Sequence, residues 1–296
     1  MNKYICLVGL PASGKSTIAE KIAKNENAII HSSDNLREEL FGDVNDVKNN
    51  QKLFQELHRR IKTDLQNGLN VIYDATNINY KKRKEFLREI KNINCFKKCV
   101  LVATPYEQCL EQNQLRERKV PEYVINRMYK SIFIPQYYEG WDDIEIEWNM
   151  KREYIYEELF NELDKIPQDN PNHSMTIGHH CIKCFMNLNV DNDNLKKAAA
   201  LHDIGKAFTK EFKNGKGETT EIAHYYQHHL VSAYMSLFYF YWLHERDLLE
   251  VTNYIQWHMQ PFFIDTDKAK NKFIKLVGKE FYNDLLILHE ADKKAR

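Results

Sequence analysis

The sequence predicts two domains of different fold class: an α/β domain built on a parallel sheet over residues 1–165, followed by an all-α domain over residues 166–296. Three observations carry this prediction. Short apolar runs alternate with amphipathic stretches in the first half, strand signals stop after Arg152, and ten of the twelve histidines lie between His173 and His289. Continuous apolar strands separated by helices are typical of a parallel sheet that is covered on both faces.

The elements of each half follow from hydrophobic periodicity. Apolar runs predict five buried strands, at residues 4–10, 28–31, 70–75, 98–103 and 144–148. Amphipathic stretches predict helices from about residue 15 and at residues 35–40, 51–65, 81–90, 106–115, 121–131 and 154–164. The polar, proline-marked segment 166–173 predicts a break between the domains, after which the pattern is helical throughout.

Composition limits the classes of function. Basic and acidic residues balance at 42 each, so a nucleic acid would have to bind in a local groove rather than on a generally basic surface. The six scattered cysteines suit reduced thiols. The apolar N-terminus leads straight into a glycine-containing loop, unlike a signal peptide, and the uncharged stretch 230–243 is shorter than the roughly 20 residues of a membrane span. We therefore expect a soluble, cytoplasmic protein.

Residues 9–16 read GLPASGKS and fit the pattern G-x-x-x-x-G-K-[ST] between a predicted strand and a predicted helix. In that context, backbone N–H groups and the helix N-terminus bind phosphate oxygens. Lys15 would reach the β- and γ-phosphates of ATP, and the Ser16 hydroxyl would ligate Mg²⁺. The residues that we expect to line the ATP pocket are Gly9, Pro11, Ala12, Ser13, Gly14, Lys15, Ser16 and Thr17.

Three further features predict transfer of the phosphoryl group onto a hydroxyl. Asp34 follows the second strand, where a carboxylate could take the proton of an acceptor hydroxyl, and the position favours this role over a helix N-cap, which it also permits. Arg37, one helical turn later, could hold an anionic part of the acceptor. Asp74 ends the third strand and could hold a Mg²⁺-bound water, orient an arginine or act as a cap. Arg116 and Arg118 open a segment that could close over the nucleotide as a lid, with a solvated surface as the equal alternative.

The segments GLPASGKST, SSDNLR, VIYDATNINYKKRKEF and RERKVPEYVINRM together resemble the P-loop kinases related to the phage polynucleotide kinase–phosphatase, over roughly residues 1–150. The resemblance implies that Lys15 and Ser16 bind ATP and Mg²⁺ and that Asp34 is the general base. It also implies that Arg37 binds an acceptor phosphate, that Asp74 is a supporting acid and that Arg116 belongs to the lid. It assigns no role to Arg118. Such kinases phosphorylate the 5′-hydroxyl of RNA or DNA, whereas relatives use small alcohols.

The second half carries an adjacent His–Asp pair, His202 and Asp203, at the end of a predicted helix. Adjacent residues on a helix point about 100° apart, so the pair suits ligands that converge on a metal held between helices. Imidazole and carboxylate ligands suit divalent transition ions such as Mn²⁺, Fe, Ni²⁺, Co²⁺ and Zn²⁺. Two ions bridged by Asp203 would activate a water and clamp a phosphoryl group, and the number of ions stays open. Further candidate ligands are His179 or His180, His228 or His229, His258 and Asp292.

The ordered series H…HD…H…H…D resembles the HD phosphohydrolase superfamily, and residues 168–292 look most like the HD domains attached to tRNA nucleotidyltransferases. Matching residue by residue implies a ligand set of His180, His202, Asp203, His228, His258 and Asp292. The choice of His180 over His179, and of His228 over His229, rests on that matching alone. Lys206 could meet a substrate phosphate or simply favour a helix dipole.

A C-x-x-C pair, Cys181 and Cys184, lies beside His180 on a predicted helix. No second pair follows at zinc-finger spacing, so these cysteines predict small core residues rather than a zinc site.

The two halves together predict a bifunctional enzyme that heals RNA or DNA ends: an ATP-dependent 5′-OH polynucleotide kinase joined to a metal-dependent 2′,3′-cyclic phosphodiesterase or phosphatase. Because no ligase lysine motif is evident, sealing would need a separate ligase as partner. The alternative is a small-molecule or nucleoside kinase fused to a nucleotide or phosphomonoester phosphohydrolase, which the neutral charge of both halves favours. A third interpretation, a nucleotide-gated RNA-binding module, conflicts with the intact Lys15, Asp34, His202 and Asp203.

Overall fold

The computed structural model describes residues 1–46, 48–171 and 173–296 and divides the chain into two compact units. The first unit comprises residues 1–128 and 135–151, and the second comprises residues 129–134 and 152–296. The segment 129–134 belongs to the second unit, where Ile134 exchanges hydrogen bonds with the Gln256 side chain at 3.0 and 3.4 Å. The domain boundary between residues 165 and 166 stays a prediction.

A sheet of five parallel strands forms the centre of the first unit, as predicted. The strands are β1 (Asn2–Val8), β2 (Ala28–Ser32), β3 (Asn70–Asp74), β4 (Cys95–Ala103) and β5 (Asp143–Trp148). Their spatial order is β2-β3-β1-β4-β5. The central strand β1 is buried from Tyr4 to Val8, which explains its continuous apolar run.

Six helices follow the strands of the first half. They are α1 (Lys15–Glu26), α2 (Ser33–Phe41), α3 (Asn50–Gln66), α4 (Tyr80–Glu89), α5 (Tyr106–Gln114) and α6 (Glu122–Tyr129), and a 3₁₀ turn spans Tyr137–Glu139. Helix α3 buries leucine and isoleucine side chains at every fourth position from Leu53 to Leu65, the stripe expected of an amphipathic helix. In α4, the buried Arg83 guanidinium pairs with Glu139 at 2.6 Å.

The second unit is predominantly helical, as predicted. Its helices are α7 (Tyr156–Leu163), α8 (Ile177–Met186), α9 (Asp193–Leu201), α10 (Lys206–Thr209), α11 (His228–Tyr239), α12 (Glu245–Trp257), α13 (Asp267–Val277) and α14 (Lys279–Lys293), with a 3₁₀ turn at Gln260–Phe263. Gly205 is required where α10 approaches α11, because a Cβ atom there would lie 2.4 Å from the carbonyl oxygen of His228. Across the described residues, no helix combines the length and apolarity that crossing a bilayer needs.

One hairpin departs from the expectation that the second half is helical throughout. Strands β6 (Glu211–Lys213) and β7 (Thr219–His224) pair antiparallel. The connection turns at Asn214, whose side-chain oxygen accepts hydrogen bonds from two backbone N–H groups, and at Gly217, which adopts a left-handed φ of 83°. The expectation was wrong here because the Asn-Gly turn signal lies between strands too short to show a period of two.

Candidate active sites

The loop between β1 and α1 has the backbone of an anion-binding site. Ala12 and Gly14 both adopt left-handed φ values, 60° and 93°, and Gly14 directly precedes α1. Such residues let successive N–H groups face one concave surface at a helix N-terminus. Gly9 must lack a side chain, because a Cβ would come within 2.9 Å of the Ser13 hydroxyl and 3.0 Å of the Val102 carbonyl oxygen.

Lys15 is folded back over its own loop. Its ammonium donates to the Leu10 carbonyl oxygen at 2.6 Å and to the Ser13 hydroxyl at 3.4 Å. Burial lowers the pKa of Lys15, and the Asp74 carboxylate opposes that shift. A phosphate bound in the loop would therefore exchange a neutral partner of this buried cation for a charged one.

Asp74 lies against the P-loop serine. The Ser16 hydroxyl donates to the Asp74 carboxylate at 3.0 Å. Burial raises the pKa of Asp74, while Lys15 and the Ser16 hydroxyl act in the opposite direction. Asp74 does not cap a helix, because the Asn79 side chain caps α4. A serine hydroxyl paired with a strand-end aspartate is the arrangement that holds Mg²⁺ in P-loop enzymes.

Asp34 lies in the first turn of α2, and the N-cap of that helix is Ser32. The Asp34 side chain is 48% exposed and pairs with the Arg118 guanidinium at 2.8 Å. Arg118 also donates to the Val44 carbonyl oxygen and to the Asn45 side chain. The capping alternative for Asp34 therefore fails. Arg118, a candidate lid residue to which the family resemblance assigned no role, contacts the predicted base.

The other two predicted arginines of the kinase site differ in exposure. Arg116 is exposed, and its charge lowers the pKa of both Lys15 and Asp74, so it lies within electrostatic range of the loop. Arg37 is buried and donates to the Asn50 side chain at 2.8 Å and to the Asp46 carbonyl oxygen. Arg37 thus braces the connection between α2 and α3, and its role in binding an acceptor stays a prediction.

In the second unit, all six predicted ligands come together around Asp203. One carboxylate oxygen, Oδ2, lies 3.0 Å from His180 Nε2 and 3.4 Å from His202 Nε2. The other, Oδ1, lies 3.0 Å from His228 Nε2 and 3.5 Å from His258 Nε2. Asp292 Oδ1 completes the first group, 3.2 Å from His180 Nε2. The two groups that could hold an ion are His180, His202, Asp203 and Asp292, and Asp203, His228 and His258.

Backbone carbonyl groups fix the orientation of the four imidazoles. Each Nδ1 lies 2.7–3.0 Å from a carbonyl oxygen, and a carbonyl only accepts, so Nδ1 carries the proton. In its neutral form, each imidazole then turns the lone pair of its Nε2 toward the Asp203 carboxylate, whose buried Oδ1 has no hydrogen-bond partner among the described residues. Facing lone pairs repel unless a cation lies between them. The cluster therefore fits divalent metal ions, with Asp203 as the bridge.

Charge effects in the cluster point the same way. Burial disfavours the charged imidazoles, yet Asp203 and Asp292 outweigh it and raise the pKa of His180 and of His202. Burial also opposes ionisation of Asp203, but Lys206 and His202 hold its pKa well below the usual range. Around His180 and His202, the cluster thus favours ionised carboxylates and imidazoles that attract a positive charge. Burial instead lowers the pKa of His258 to about 4.

Of each pair of neighbouring histidines, the structure places one member in the cluster. His180 and His228 are buried in the cluster. His179 is exposed, 3.9 Å from the Asp164 carboxylate, and the ring centroid of His229 lies 6.2 Å from that of His258. Cys181 and Cys184 are both buried, as expected of core residues, and burial raises the pKa of the Cys181 thiol to about 11.

Two residues beside the cluster extend it. The Lys206 ammonium lies 2.6 Å from Asp203 Oδ2 and donates to Gln168 at 2.8 Å, and it opens α10 rather than closing α9. His173, which the ligand series did not include, places its ring centroid 5.3 Å from that of His180. Its buried Nδ1 has no hydrogen-bond partner in the described part of the chain. The only signal for His173 in the sequence was the histidine-rich composition of this half.

Comparison with known families agrees with this geometry. A family model described as an AAA domain matches residues 5–135, and one described as an HD domain matches residues 172–296. The chain is therefore an enzyme in which a P-loop kinase domain is followed by an HD phosphohydrolase domain. Such a kinase domain uses ATP and Mg²⁺, and HD domains bind divalent metal ions.

Individual relatives are more distant. The L-seryl-tRNA(Sec) kinase of Methanococcus maripaludis is 27% identical over 238 residues, which are 72% of this chain and 91% of the relative. A chain of the Pnkp1/Rnl/Hen1 RNA repair complex is 22% identical with a TM-score of 0.39, over 43% of this chain and 42% of that chain. A putative kinase from Chloroflexus aurantiacus is 17% identical with a TM-score of 0.42, over 51% of this chain and 89% of that chain.

Proposed function

We propose that this chain, in which a P-loop kinase domain is joined to an HD phosphohydrolase domain, heals broken RNA ends. The kinase domain would transfer the γ-phosphoryl group of ATP to a 5′-hydroxyl end. The HD domain would open a 2′,3′-cyclic phosphate or remove a terminal phosphate. The observation that carries the proposal is that one chain holds two sites suited to phosphate chemistry: the Ser16–Asp74 pair with Asp34 in electrostatic range of Asp74, and the cluster around Asp203.

In the kinase site, the residues would act as positioning and charge-stabilising groups. Lys15 would leave the Leu10 carbonyl for the β- and γ-phosphates of ATP, and Ser16 with Asp74 would hold Mg²⁺, which neutralises phosphate charge. Asp34, positioned by Arg118, would accept the proton of the 5′-hydroxyl as the hydroxyl oxygen bonds to the γ-phosphorus and the bond to ADP breaks. Arg116 would lie over the developing charge.

In the HD site, His180, His202 and Asp292 would hold one metal ion, His228 and His258 would hold a second, and Asp203 would bridge them. Bound metal ions supply a water of lowered pKa and polarise the phosphoryl oxygens. The four backbone carbonyls keep each Nε2 in place during turnover. Lys206, which already contacts Asp203, would contact the phosphate of the substrate. Addition of water across the P–O bond opens the cyclic phosphate.

The products point to a partner. A 5′-phosphate and an opened or dephosphorylated 3′ end are the ends that an RNA ligase joins, so a separate ligase is the partner that the proposal requires.

The acceptor can be tested with γ-labelled ATP. We expect label on a 5′-OH oligoribonucleotide, and compare a 5′-OH oligodeoxynucleotide, nucleosides, sugars and seryl-tRNA as acceptors. Lys21→Ala, an exposed lysine on α1, serves as the control for Lys15→Ala, which should abolish labelling. Label on small molecules alone would overturn the end-healing proposal.

The second candidate is a kinase for another hydroxyl, joined to a nucleotide or phosphomonoester phosphohydrolase. The similarity to an L-seryl-tRNA(Sec) kinase, 27% identical over 72% of the chain, favours it, since that relative is a kinase of seryl-tRNA. The same acceptor panel separates the candidates: label on seryl-tRNA with none on 5′-OH ends would establish the second one.

A further inference from the structure

Two exposed phenylalanines directly follow a predicted metal ligand. His258 closes α12, and the 3₁₀ turn Gln260–Phe263 begins two residues later. Phe262 is 40% exposed and Phe263 is 69% exposed. Phenylalanine on a turn at a polar rim is costly to hydrate, and at this position the rings lie within a few residues of the metal cluster.

A ring contact links Phe262 to the helix that carries Asp292. The His289 ring packs against Phe262 with centroids 4.3 Å apart and edge-to-face geometry. His289 precedes Asp292 by three residues on α14, so both side chains lie on the same side of the helix. Its Nδ1 is shielded from solvent and has no hydrogen-bond partner in the ranges that the structure describes. This nitrogen therefore has an unused hydrogen-bonding capacity, and a ligand at the rim reaches it when the neighbouring side chains move aside.

Positive charge lies at the same rim. The Arg296 guanidinium is 5.5 Å from the centroid of the Phe262 ring. The preceding residue, Ala295, accepts the Nδ1 hydrogen bond of His180 through its carbonyl oxygen. The rim therefore consists of Phe262, Phe263, His289 and Arg296. It adjoins Ala295, whose carbonyl orients the predicted ligand His180.

This combination suits one part of a nucleotide. A purine or pyrimidine stacks on aromatic rings with about 1–3 kcal/mol per base, and its edge offers hydrogen-bonding groups to an imidazole. A phosphate bound at the metal cluster would bring the base of the same nucleotide to within reach of the rim. A protein partner would need a larger apolar surface and would gain nothing from the adjacent metal ligands.

We propose that Phe262, Phe263 and His289 form an aromatic platform that binds the base of the terminal nucleotide whose phosphate is processed by the HD site. The proposal rests on the proposed function, because it assumes that the HD site acts on a nucleotide end. Stacking tolerates all four bases, so the platform would recognise a nucleotide end without reading its sequence.

Two phosphodiesters that differ in the base test the platform. Uridine 2′,3′-cyclic phosphate carries a base, whereas the 2′,3′-cyclic phosphate of methyl β-D-ribofuranoside carries neither a base nor any other aromatic ring, and both are assayed with the Mn²⁺-loaded full chain. In Phe262→Ala, Phe263→Ala and the double variant, we expect KM for the cyclic nucleotide to rise about tenfold, with kcat/KM for the base-free diester within about twofold of wild type. His289→Gln, which keeps a donor, should fall between wild type and His289→Ala. Trp242→Ala removes an exposed aromatic elsewhere in the unit and should change neither substrate.

The outcomes separate the platform from the site it serves. Equal loss on both diesters with altered manganese content, or no change on either, would overturn the platform while the phosphoesterase stands. Wild-type protein that hydrolyses the base-free diester but no cyclic nucleotide would also overturn it. Hydrolysis of neither diester by wild type would refute the phosphoesterase function itself, and the platform with it.

Discussion

The kinase site and the HD site differ in how their predicted functional side chains are held. In the kinase site, the predicted functional groups are paired with one another: Lys15 with its own loop, Ser16 with Asp74, and Asp34 with Arg118. In the HD site, backbone carbonyls accept hydrogen bonds from Nδ1 of the four imidazoles, and each Nε2 faces the Asp203 carboxylate. The first site must exchange partners when a ligand binds, whereas the second is organised in advance.

The difference follows from what each site has to bind. ATP and an acceptor arrive and leave in every cycle, so half-exposed groups such as Asp34 on movable partners are suitable. A resident metal ion stays in place, so buried ligands with fixed orientation favour it. A substitution in one site should therefore change the activity of that site alone. The largest loss of activity should come from Asp203, because it belongs to both predicted metal positions.

Asp203→Asn should abolish the phosphoesterase, by on the order of a thousandfold or more, and leave the kinase unchanged. An amide cannot bridge two cations as a carboxylate does, so both predicted metal positions lose a ligand. Hydrolysis of a cyclic nucleotide and transfer of label from ATP are measured on the same preparation. Asp193→Asn, an exposed aspartate on α9, is the control. Loss of both activities in Asp203→Asn with an intact fold would contradict two independent sites.

Lys15→Ala should do the reverse, lowering kinase turnover by about a hundred- to a thousandfold, the cost of removing one preorganised charged donor. Hydrolysis of the cyclic nucleotide should stay within about twofold of wild type. Steady-state rates of both reactions in Lys15→Ala and in the control Lys21→Ala provide the measurement. A phosphoesterase that also fails in Lys15→Ala would show that the sites depend on each other.

Arg118→Ala should lower kinase kcat about tenfold, or roughly 1.4 kcal/mol of transition-state stabilisation. The guanidinium links the predicted lid segment to Asp34 and to the Val44 carbonyl, so its removal leaves the predicted base without a positioning group. Arg118→Lys keeps the charge but cannot span both partners, and should recover part of the rate. If the pH profile and kcat of Arg118→Ala match wild type, Arg118 has no part in positioning Asp34.

The affinity of the HD site for Mn²⁺ should fall as pH falls from 8 to 6, by about tenfold or more. The pKa values of His180 and His202 are raised, so these imidazoles hold protons at higher pH than an ordinary histidine, and an incoming ion has to displace them. Calorimetric titrations at several pH values measure the change. An affinity that stays constant over this range would mean that these histidines are not ligands.

Sequence patterns predicted best where the chemistry is local. The P-loop is contiguous, so GLPASGKS between a strand and a helix was sufficient to locate the nucleotide site. The cluster around Asp203 is assembled from five separate segments, and only the ordered resemblance to HD domains indicated which histidines belong together. The choice of His180 over His179 depends on which helix face is buried, and periodicity alone left it open.

The features that were missed depend on contacts between distant residues. Asp34 and Arg118 are 84 positions apart, and no sequence pattern links them. The β6–β7 hairpin was mistaken for helical chain because its strands are short. In the sequence, Phe262 and His289 each look like ordinary surface or core residues. Only the packing of their rings against each other, with His289 on the helix that carries Asp292, indicates a shared role.

One oligoribonucleotide that carries a 5′-hydroxyl and a 2′,3′-cyclic phosphate tests the central claim most directly. Incubated with the protein, ATP, Mg²⁺ and Mn²⁺, and followed by mass spectrometry, it should gain a phosphoryl group at the 5′ end and lose the cyclic phosphate at the 3′ end. Asp203→Asn should block only the second change, and Lys15→Ala only the first. An RNA with both ends unaltered, under conditions in which small molecules are phosphorylated and hydrolysed, would contradict the account.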